Sequence, residues 1–185
     1  GYITYTVRPK NVVKSGDEIE AIAKIIFDQN SPIETPRIFN TIDVGAPVSE
    51  IRPLATENVP GFRVQWSGED DVKGSGIRNY DIYVSTNAGP FELWLDDIAA
   101  NEARFVDAIP GNTYGFYSVA KDLVGHSELP PDAPDAETLV VPPAEIESVI
   151  VSDVPVKSLK VVFKEPMNLA ALITNNSIET AVQLK

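Results

Sequence analysis

Alternating apolar and polar residues between positions 62 and 120 constrain the fold of this chain more than any other feature. A period of two is typical of a β-strand with one buried face. Glycine, proline and acidic residues fill the loops between the runs, as turns require. The pattern predicts the middle of a β-sandwich, with further strands over the runs 91–95, 103–105 and 114–120. The alternating apolar residues of the first two strands are Phe62, Val64, Trp66, Tyr80, Ile82 and Val84.

Four segments of this region carry a family resemblance: WSGEDD at 66–71, YDIYVS at 80–85, PGNTY at 110–114 and YGFYSVA at 114–120. Together they resemble a fibronectin type III domain, in the variant repeated in large secreted bacterial proteins, over roughly residues 46–141. The resemblance implies an all-β, immunoglobulin-like or fibronectin type III β-sandwich with flanking β-strand segments. Trp66 resembles the residue that fills the space between the two sheets, and Tyr114 resembles the tyrosine corner of this architecture.

The chain is expected to divide into three units. Residues 1–43 contain three predicted strands, at 3–7, 19–27 and 36–42, and resemble the last strands of another β-sandwich repeat. Helix is the alternative for 17–28, because Ala, Glu and Lys favour helices, but the sustained alternation favours a strand. Residues 44–141 form the central domain, with its first strand at 48–54 and its last at 137–141.

Residues 142–185 follow the boundary Pro142-Pro143. Strands are predicted at 146–151 and 159–163 and a helical turn at 168–173, and the segment resembles the opening of a further immunoglobulin-like repeat. Each flank leaves apolar faces and strand edges without partners, and such edges pair with what is available. We therefore expect the two flanks to pack together, or each to pair with another copy of the chain.

Composition excludes several classes of function. The formal net charge is −12, which argues against nucleic-acid binding because phosphates would be repelled. A run of about 18 apolar residues does not occur, so no segment is expected to insert into a membrane. Cysteine is absent, and a secreted chain of this composition would rely on sheet packing for its stability.

Catalysis is not expected. The one histidine, His126, lies in a predicted turn beside Ser127, where the serine points the wrong way for a proton relay. Zinc-ligand spacings, phosphate-binding glycine loops and nucleophile elbows are absent from the sequence. We interpret His126 as a polar turn residue and the chain as a non-enzyme.

Calcium is the one cofactor for which the sequence offers ligands. Glu69, Asp70 and Asp71 lie in one loop, and Asp28 and Asn30 precede the link to the central domain. Calcium takes six to eight oxygen ligands, so several of these side chains would have to converge. The alternative is a solvated turn in which Asp and Asn bond to the local backbone.

Three aromatic residues are expected to face outwards. If Tyr80, Ile82 and Val84 point into the core, alternation sends Tyr83 out, and it likewise sends out Trp94 and Tyr117. An exposed ridge of this kind suits carbohydrate or a protein partner. Cross-strand packing or cover by a neighbouring domain is the alternative.

These observations predict a non-catalytic structural or adhesive module of a secreted or cell-surface bacterial multidomain protein. Its expected partners are neighbouring domains of the same polypeptide, further copies of the chain, and a polysaccharide or surface protein. The alternative is an accessory, carbohydrate-binding module of an extracellular hydrolase. The two differ at the aromatic ridge, because a carbohydrate-binding module needs it exposed.

Overall fold

The computed structural model describes residues 4, 6–10, 12–152 and 158–164. Regular structure within these ranges is entirely β-strand, which confirms the all-β prediction. A helix long and apolar enough to cross a membrane is not found among them. The strands are β1 (Glu18–Ala21), β2 (Lys24–Ile25), β3 (Ile33–Glu34), β4 (Ile38–Thr41), β5 (Val48–Ile51), β6 (Glu57–Asn58), β7 (Phe62–Glu69), β8 (Ile77–Thr86), β9 (Glu92–Ile98), β10 (Glu102–Phe105), β11 (Thr113–Asp122), β12 (Ala136–Val140), β13 (Ile146–Ser152) and β14 (Ser158–Phe163).

Strands β5 to β12 form a β-sandwich of two sheets. One sheet has three strands in the order β10-β7-β5, and the other has five in the order β6-β12-β11-β8-β9. Neighbouring strands are antiparallel except for the short pair β6 and β12, which is parallel. Residues 70–76 connect β7 to β8, and we call them the acidic loop. This loop crosses from one sheet to the other at one end of the sandwich.

The core lies between the two sheets and is rich in aromatic rings. Trp66 is 1% exposed and meets Tyr80 edge-to-face with ring centroids 6.4 Å apart. Phe116 is fully buried and contacts Phe62 and Phe105 with the same geometry, which aromatic pairs prefer. The inward positions of β7, β8 and β11 are those that the alternation predicted.

Residues 18–41 form an interrupted hairpin. Strand β1 pairs with β4 and β2 pairs with β3, so the predicted strand at 19–27 is present but is broken between Ala21 and Lys24. Pro36 lies opposite the break, between β3 and β4, and proline has no N–H to donate to a ladder. The helical alternative for 17–28 is wrong. The predicted strand at 3–7 falls partly outside the described residues, and Thr4, Thr6 and Val7 are not in a strand.

At the other end of the chain, β13 and β14 form an antiparallel pair, as predicted for 146–151 and 159–163. The predicted helical turn at 168–173 lies outside the described residues. Neither sheet of the N-terminal hairpin pairs with β13 and β14 within the part of the chain that the structure describes. The expected strand pairing between the two flanks is therefore not observed there. Pairing with another copy of the chain stays a prediction.

Candidate functional site: the junction of residues 1–43 with the sandwich

The junction between the N-terminal unit and the sandwich begins with a loop that folds back on the end of β4. Gly16 donates its N–H to the carbonyl of Ile42 at 2.8 Å. The hydroxyl of Ser15, a residue only 7% exposed, donates to Asp43 Oδ1 at 3.2 Å and accepts the N–H of Val44 at 2.9 Å. Residues 15–16 thus hold the chain in place where it enters the link to β5, residues 44–47.

Asp43 connects the N-terminal unit to the sandwich. Its second carboxylate oxygen, Oδ2, accepts the backbone N–H of Ser75 at 2.6 Å, and Ser75 belongs to the β7–β8 loop of the sandwich. Burial disfavours the charged form of Asp43, but hydrogen bonds from Ser75 and Ser15 outweigh burial and hold its pKa below the ordinary range. Asp43 therefore acts as an ionised bridge between the two units.

Two glycines make room for the acidic loop at the junction. A Cβ atom on Gly45 would lie 2.5 Å from Asp71 Cγ, and one on Gly74 would lie 2.3 Å from Asp71 Oδ1. Both separations are shorter than any real contact of this kind, so a side chain at either position would displace the carboxylate. Glycine at these two positions therefore lets the link and the loop approach each other without moving the carboxylate.

Asp70 and Asp71 occupy different environments. Asp70 accepts the N–H of Gly76 at 2.6 Å and the N–H of Asp71 at 2.9 Å, so it makes the local backbone bonds that the solvated-turn alternative anticipates. The Oδ1 atom of Asp71 is instead buried and has no hydrogen-bond partner. A buried carboxylate oxygen without a partner is costly, since burial of a charge needs compensation.

A second turn of the sandwich reaches the same place. Asp122, at the end of β11, is fully buried, and its Oδ1 accepts the N–H groups of Val124, Gly125 and His126 at 2.6–3.0 Å. Its Oδ2 lies 2.8 Å from His126 Nδ1. Asp122 therefore builds the turn, and His126 is the polar turn residue of the sequence interpretation.

His126 is not paired with its neighbour. The hydroxyl of Ser127 donates to the carbonyl of Glu128 at 3.4 Å rather than to the imidazole. His126 Nδ1 instead forms a hydrogen bond with Asp122, and Asp122 also accepts hydrogen bonds from three backbone N–H groups. The geometry is that of a tight turn held by the hydrogen bonds of one buried carboxylate.

Five side chains meet at this end of the molecule, and we call them the junction cluster: Asp43, Asp70, Asp71, Asp122 and His126. Ligand atoms of Asp43, Asp70 and Asp71 lie within 4.8 Å of one another, and so do those of Asp43, Asp122 and His126. Carboxylate oxygens are the ligands that calcium prefers, and the partnerless Oδ1 of Asp71 offers one. The donor set fits a hard divalent cation, and the calcium prediction remains a prediction.

The junction cluster differs from the ligand set expected from the sequence. Glu69 ends β7 and lines an open groove along β5 and β7 instead. Asp28 and Asn30 form the turn between β2 and β3, and Asp28 is not among the converging acidic groups. The hairpin continues through β3 and β4 before the link begins, so Asp43 occupies the place expected for Asp28 and Asn30.

Sequence reasoning missed Asp43 and Asp122. They are 79 positions apart in the chain, and only the pairing of strands brings them together. Asp122 did carry a local signal, because an Asp followed by Val124-Gly125-His126 is typical of a side chain that caps a tight turn.

The expected aromatic ridge is not present in the predicted form. Tyr83 and Tyr117 do share the outer face of the five-stranded sheet, but their rings stack 4.8 Å apart and Phe91 lies 4.5 Å from Tyr117. Tyr117 is only 7% exposed, and burial, followed by the nearby Tyr83, raises its pKa. This pair follows the alternative reading of cross-strand packing.

Trp94 was predicted to face outwards, and that prediction is wrong. Its ring packs against Phe105 and Phe116 of the core, with centroids 5.2 and 5.7 Å away. The pairing of β8 with β9 shifts register between Ile82 and Tyr83, so one extra residue of β9 is accommodated there. A bulge of this kind breaks strict alternation and turns Trp94 inwards.

Fold and junction together define an all-β protein in which a β-hairpin unit is fixed to a β-sandwich. Residues 1–41 match a family described as Domain of unknown function (DUF7619). The match covers the hairpin unit and ends immediately before the link. No curated protein matches the chain.

Proposed function

We propose that this chain is a non-catalytic structural or adhesive module of a secreted or cell-surface bacterial multidomain protein. Its role is to hold consecutive β-units at a fixed orientation. The observation that carries the proposal is the hydrogen bond from the N–H of Ser75 to Asp43, which ties the N-terminal unit to the sandwich. A freely jointed pair of domains would not need such a bond.

Other contacts support a stiff junction. The side chain of Lys73 lies so close to Gly16 that a Cβ there would sit 2.5 Å from it, and Gly16 has φ +88°, a conformation that other residues rarely adopt. Pro47, in the link to β5, is fully buried. The link is thus short and held at both of its ends, which favours a fixed angle over a flexible tether.

Features of the sandwich are consistent with the fibronectin type III resemblance. A three-stranded sheet packs on a five-stranded sheet, Trp66 lies in the core between them, and the Tyr114 hydroxyl accepts a backbone N–H. In the bacterial proteins that the sequence resembles, such domains are repeated as spacers. We therefore propose that the partners of this unit are neighbouring domains of its own polypeptide.

The alternative function is a carbohydrate-binding accessory module of an extracellular hydrolase. A platform for sugar rings requires exposed aromatic faces, whereas Trp94 packs on the core and Tyr117 is buried beneath its neighbours. Of the three aromatic residues predicted to form the ridge, Tyr83 is left as a candidate sugar contact, with the half-exposed Leu93 beside it on the same face. Calorimetric titration with soluble oligosaccharides, comparing the parent chain with Tyr83→Ala, tests this alternative.

Backbone NMR relaxation on the whole chain tests the structural proposal. Rotational correlation times measured for the hairpin 18–41 and for the sandwich should agree in the parent chain, because a fixed pair tumbles as one body. Asp43→Ala should separate the two values, whereas Asp28→Ala, a charge loss in the hairpin turn, should leave them equal. Independent tumbling in the parent chain would overturn the proposal.

A further inference from the structure

The open side of the sandwich, between β5 and β11, is closed by two side chains rather than by a strand. Strand β12 pairs with β11 only over Thr113–Phe116, so the N–H groups of Ser118 and Ala120 lie beyond its end. Strand β5 bonds to β7 on one side, and the N–H groups of Ser49 and Ile51 are directed to carboxylates of another segment. These four donors face the seam between the sheets.

Glu128 and Asp135 accept all four of these hydrogen bonds. Asp135 Oδ2 accepts the N–H of Ile51 at 2.9 Å and that of Ser118 at 3.2 Å. Glu128 accepts the N–H of Ser49 at 2.8 Å through Oε1 and that of Ala120 at 3.0 Å through Oε2. Each carboxylate therefore bonds one strand from each sheet.

Both acids belong to the segment that links β11 to β12, and this segment is itself fixed to β11. The N–H of Glu128 donates to the carbonyl of Ala120 at 3.0 Å, and the N–H of Asp135 donates to that of Phe116 at 2.8 Å. The hydroxyl of Ser49 donates to Glu128 as well. The two side chains are thus held at both ends, and their charge makes the hydrogen bonds to β5 stronger than neutral ones.

Glu128 and Asp135 hold these positions although neighbouring negative charges repel them. Partial burial raises the pKa of Asp135, and the charges of Glu128 and Glu50 add to that effect, although hydrogen bonds from Ile51 and Ser118 oppose it. Three acidic groups would separate in solution if nothing positioned them. The hydrogen bonds at the seam therefore offset this repulsion, which indicates that the two carboxylates have a structural role there.

The position of β5 in the chain suggests that role. The chain enters the sandwich through the link 44–47 directly into β5, and it leaves through β12. Tension along the polypeptide is then applied first to β5, which has only four residues and lies at the edge of its sheet. To be pulled out, β5 must break its ladder with β7 and its bonds to Glu128 and Asp135.

We propose that Glu128 and Asp135 form a latch that keeps β5 in place when the polypeptide is stretched. The proposal rests on the structural role proposed above, since only a module within a longer array carries tension. It predicts a mechanical property of the sandwich alone, whereas the structural role is tested by the rigidity of the junction. The two can therefore fail separately.

Single-molecule force spectroscopy on the whole chain, held by its two ends, tests the latch. The double variant Glu128→Gln, Asp135→Asn keeps the size of both side chains and removes their charge. Its unfolding rate under load should rise by about tenfold or more, because losing a charge-assisted hydrogen bond is worth roughly a decade in rate. Asp132→Asn is the matched control: Asp132 is a carboxylate of the same segment, but the hydrogen bonds from β5 and β11 go to Glu128 and Asp135, so this variant should leave the rate unchanged.

Hydrogen exchange supplies a second measurement, in case the double variant folds poorly. In each single variant, the amides of the two residues bonded to the missing charge should exchange faster: Ser49 and Ala120 for Glu128→Gln, and Ile51 and Ser118 for Asp135→Asn. A parent-like unfolding rate in the double variant, or parent-like exchange in both single variants, would overturn the latch.

Discussion

The hydroxyl of Tyr114 accepts the backbone N–H of Ile109 at 3.0 Å, five positions earlier in the chain. Tyr114 is 4% exposed, and its ring packs edge-to-face on Phe105. The bond therefore fixes the turn 110–112, including Gly111 at φ +92°, to the core. Tyr114 thus makes a hydrogen bond to the backbone a few residues upstream, as the tyrosine of a tyrosine corner does.

Tyr114→Phe should lower the free energy of unfolding by about 1 kcal/mol, because it removes one hydrogen bond and leaves a backbone N–H without its acceptor. For a domain of this size, that corresponds to a fall in melting temperature of about 4–8 °C. Thermal unfolding followed by circular dichroism measures it. Tyr83→Phe is the control, and an equal fall in both variants would contradict the assignment.

Trp66→Ala should be far more damaging. The side chain is 1% exposed within a closely packed core, and truncation of a buried tryptophan costs about 3–5 kcal/mol through lost contacts and a residual cavity. That is a large part of the stability of a typical domain. Chemical denaturation of the variant should show a much lower midpoint, whereas Gln65→Ala, an exposed neighbour on the same strand, should retain the parent midpoint. An unchanged curve for Trp66→Ala would contradict its burial.

Strong alternation explains why the sandwich could be predicted from the sequence. In β7 buried and exposed residues alternate, and in β8 and β11, whose central parts are buried on both faces, the core residues still recur at every second or fourth position. The apolar period of two therefore predicted these strands and their inward residues. The two-residue strands β3 and β6 carry no such pattern, and they exist because a partner strand happens to run beside them. Their existence depends on tertiary contacts that no local rule contains.

The failures at the candidate site have related causes. Alternation assigned Trp94 to the outer face, and one extra residue at the β8–β9 bulge reversed it. Nothing local to residues 91–95 announces that bulge. Asp71 was predicted from the acidic loop, but Asp43 and Asp122 join it only because the loop meets the link and the β11 turn in space. A cluster assembled from three distant segments is not visible in a single sequence.

Trp94→Ala tests the inward assignment directly. Because the ring contacts Phe105 and Phe116, the variant should lose stability, although less than Trp66→Ala, since Trp94 is only partly buried. Leu93→Ala should have little effect, because Leu93 is 50% exposed on the opposite face. Urea denaturation of both variants provides the comparison. Equal, small losses would place Trp94 on the surface, as alternation suggested.

Acid should weaken the junction through Asp43. The folded protein holds the pKa of Asp43 below its unfolded value of about 3.9. The stabilisation is therefore complete above about pH 4 and is lost as the pH falls through the folded pKa. The amide resonance of Ser75 reports on this group, because its N–H donates to Asp43.

An NMR titration of the Ser75 amide should thus show a midpoint below about 3.9. Asp43→Asn should remove that transition, and Asp28→Asn should preserve it. A midpoint above the unfolded value would mean that burial, rather than hydrogen bonding, dominates at Asp43.

The junction cluster makes a separate prediction about calcium. Without a cation, the carboxylates of Asp43, Asp70 and Asp71 approach within 4.8 Å of one another, and like charges at that separation repel. A cation that binds only the folded chain stabilises it in proportion to the logarithm of its concentration. Calcium should therefore raise the melting temperature of the parent chain above its value in EDTA.

Asp71→Asn separates cation binding from relief of repulsion. In EDTA the variant should melt at or above the parent temperature, because one of three close charges is gone and the buried oxygen of Asp71 has no hydrogen bond to lose. In calcium the order should reverse, since the variant lacks a charged ligand, and Glu69→Gln should behave as the parent does. Melting temperatures that are the same in calcium and EDTA for the parent chain would show that the cluster is a set of loop contacts and not a cation site.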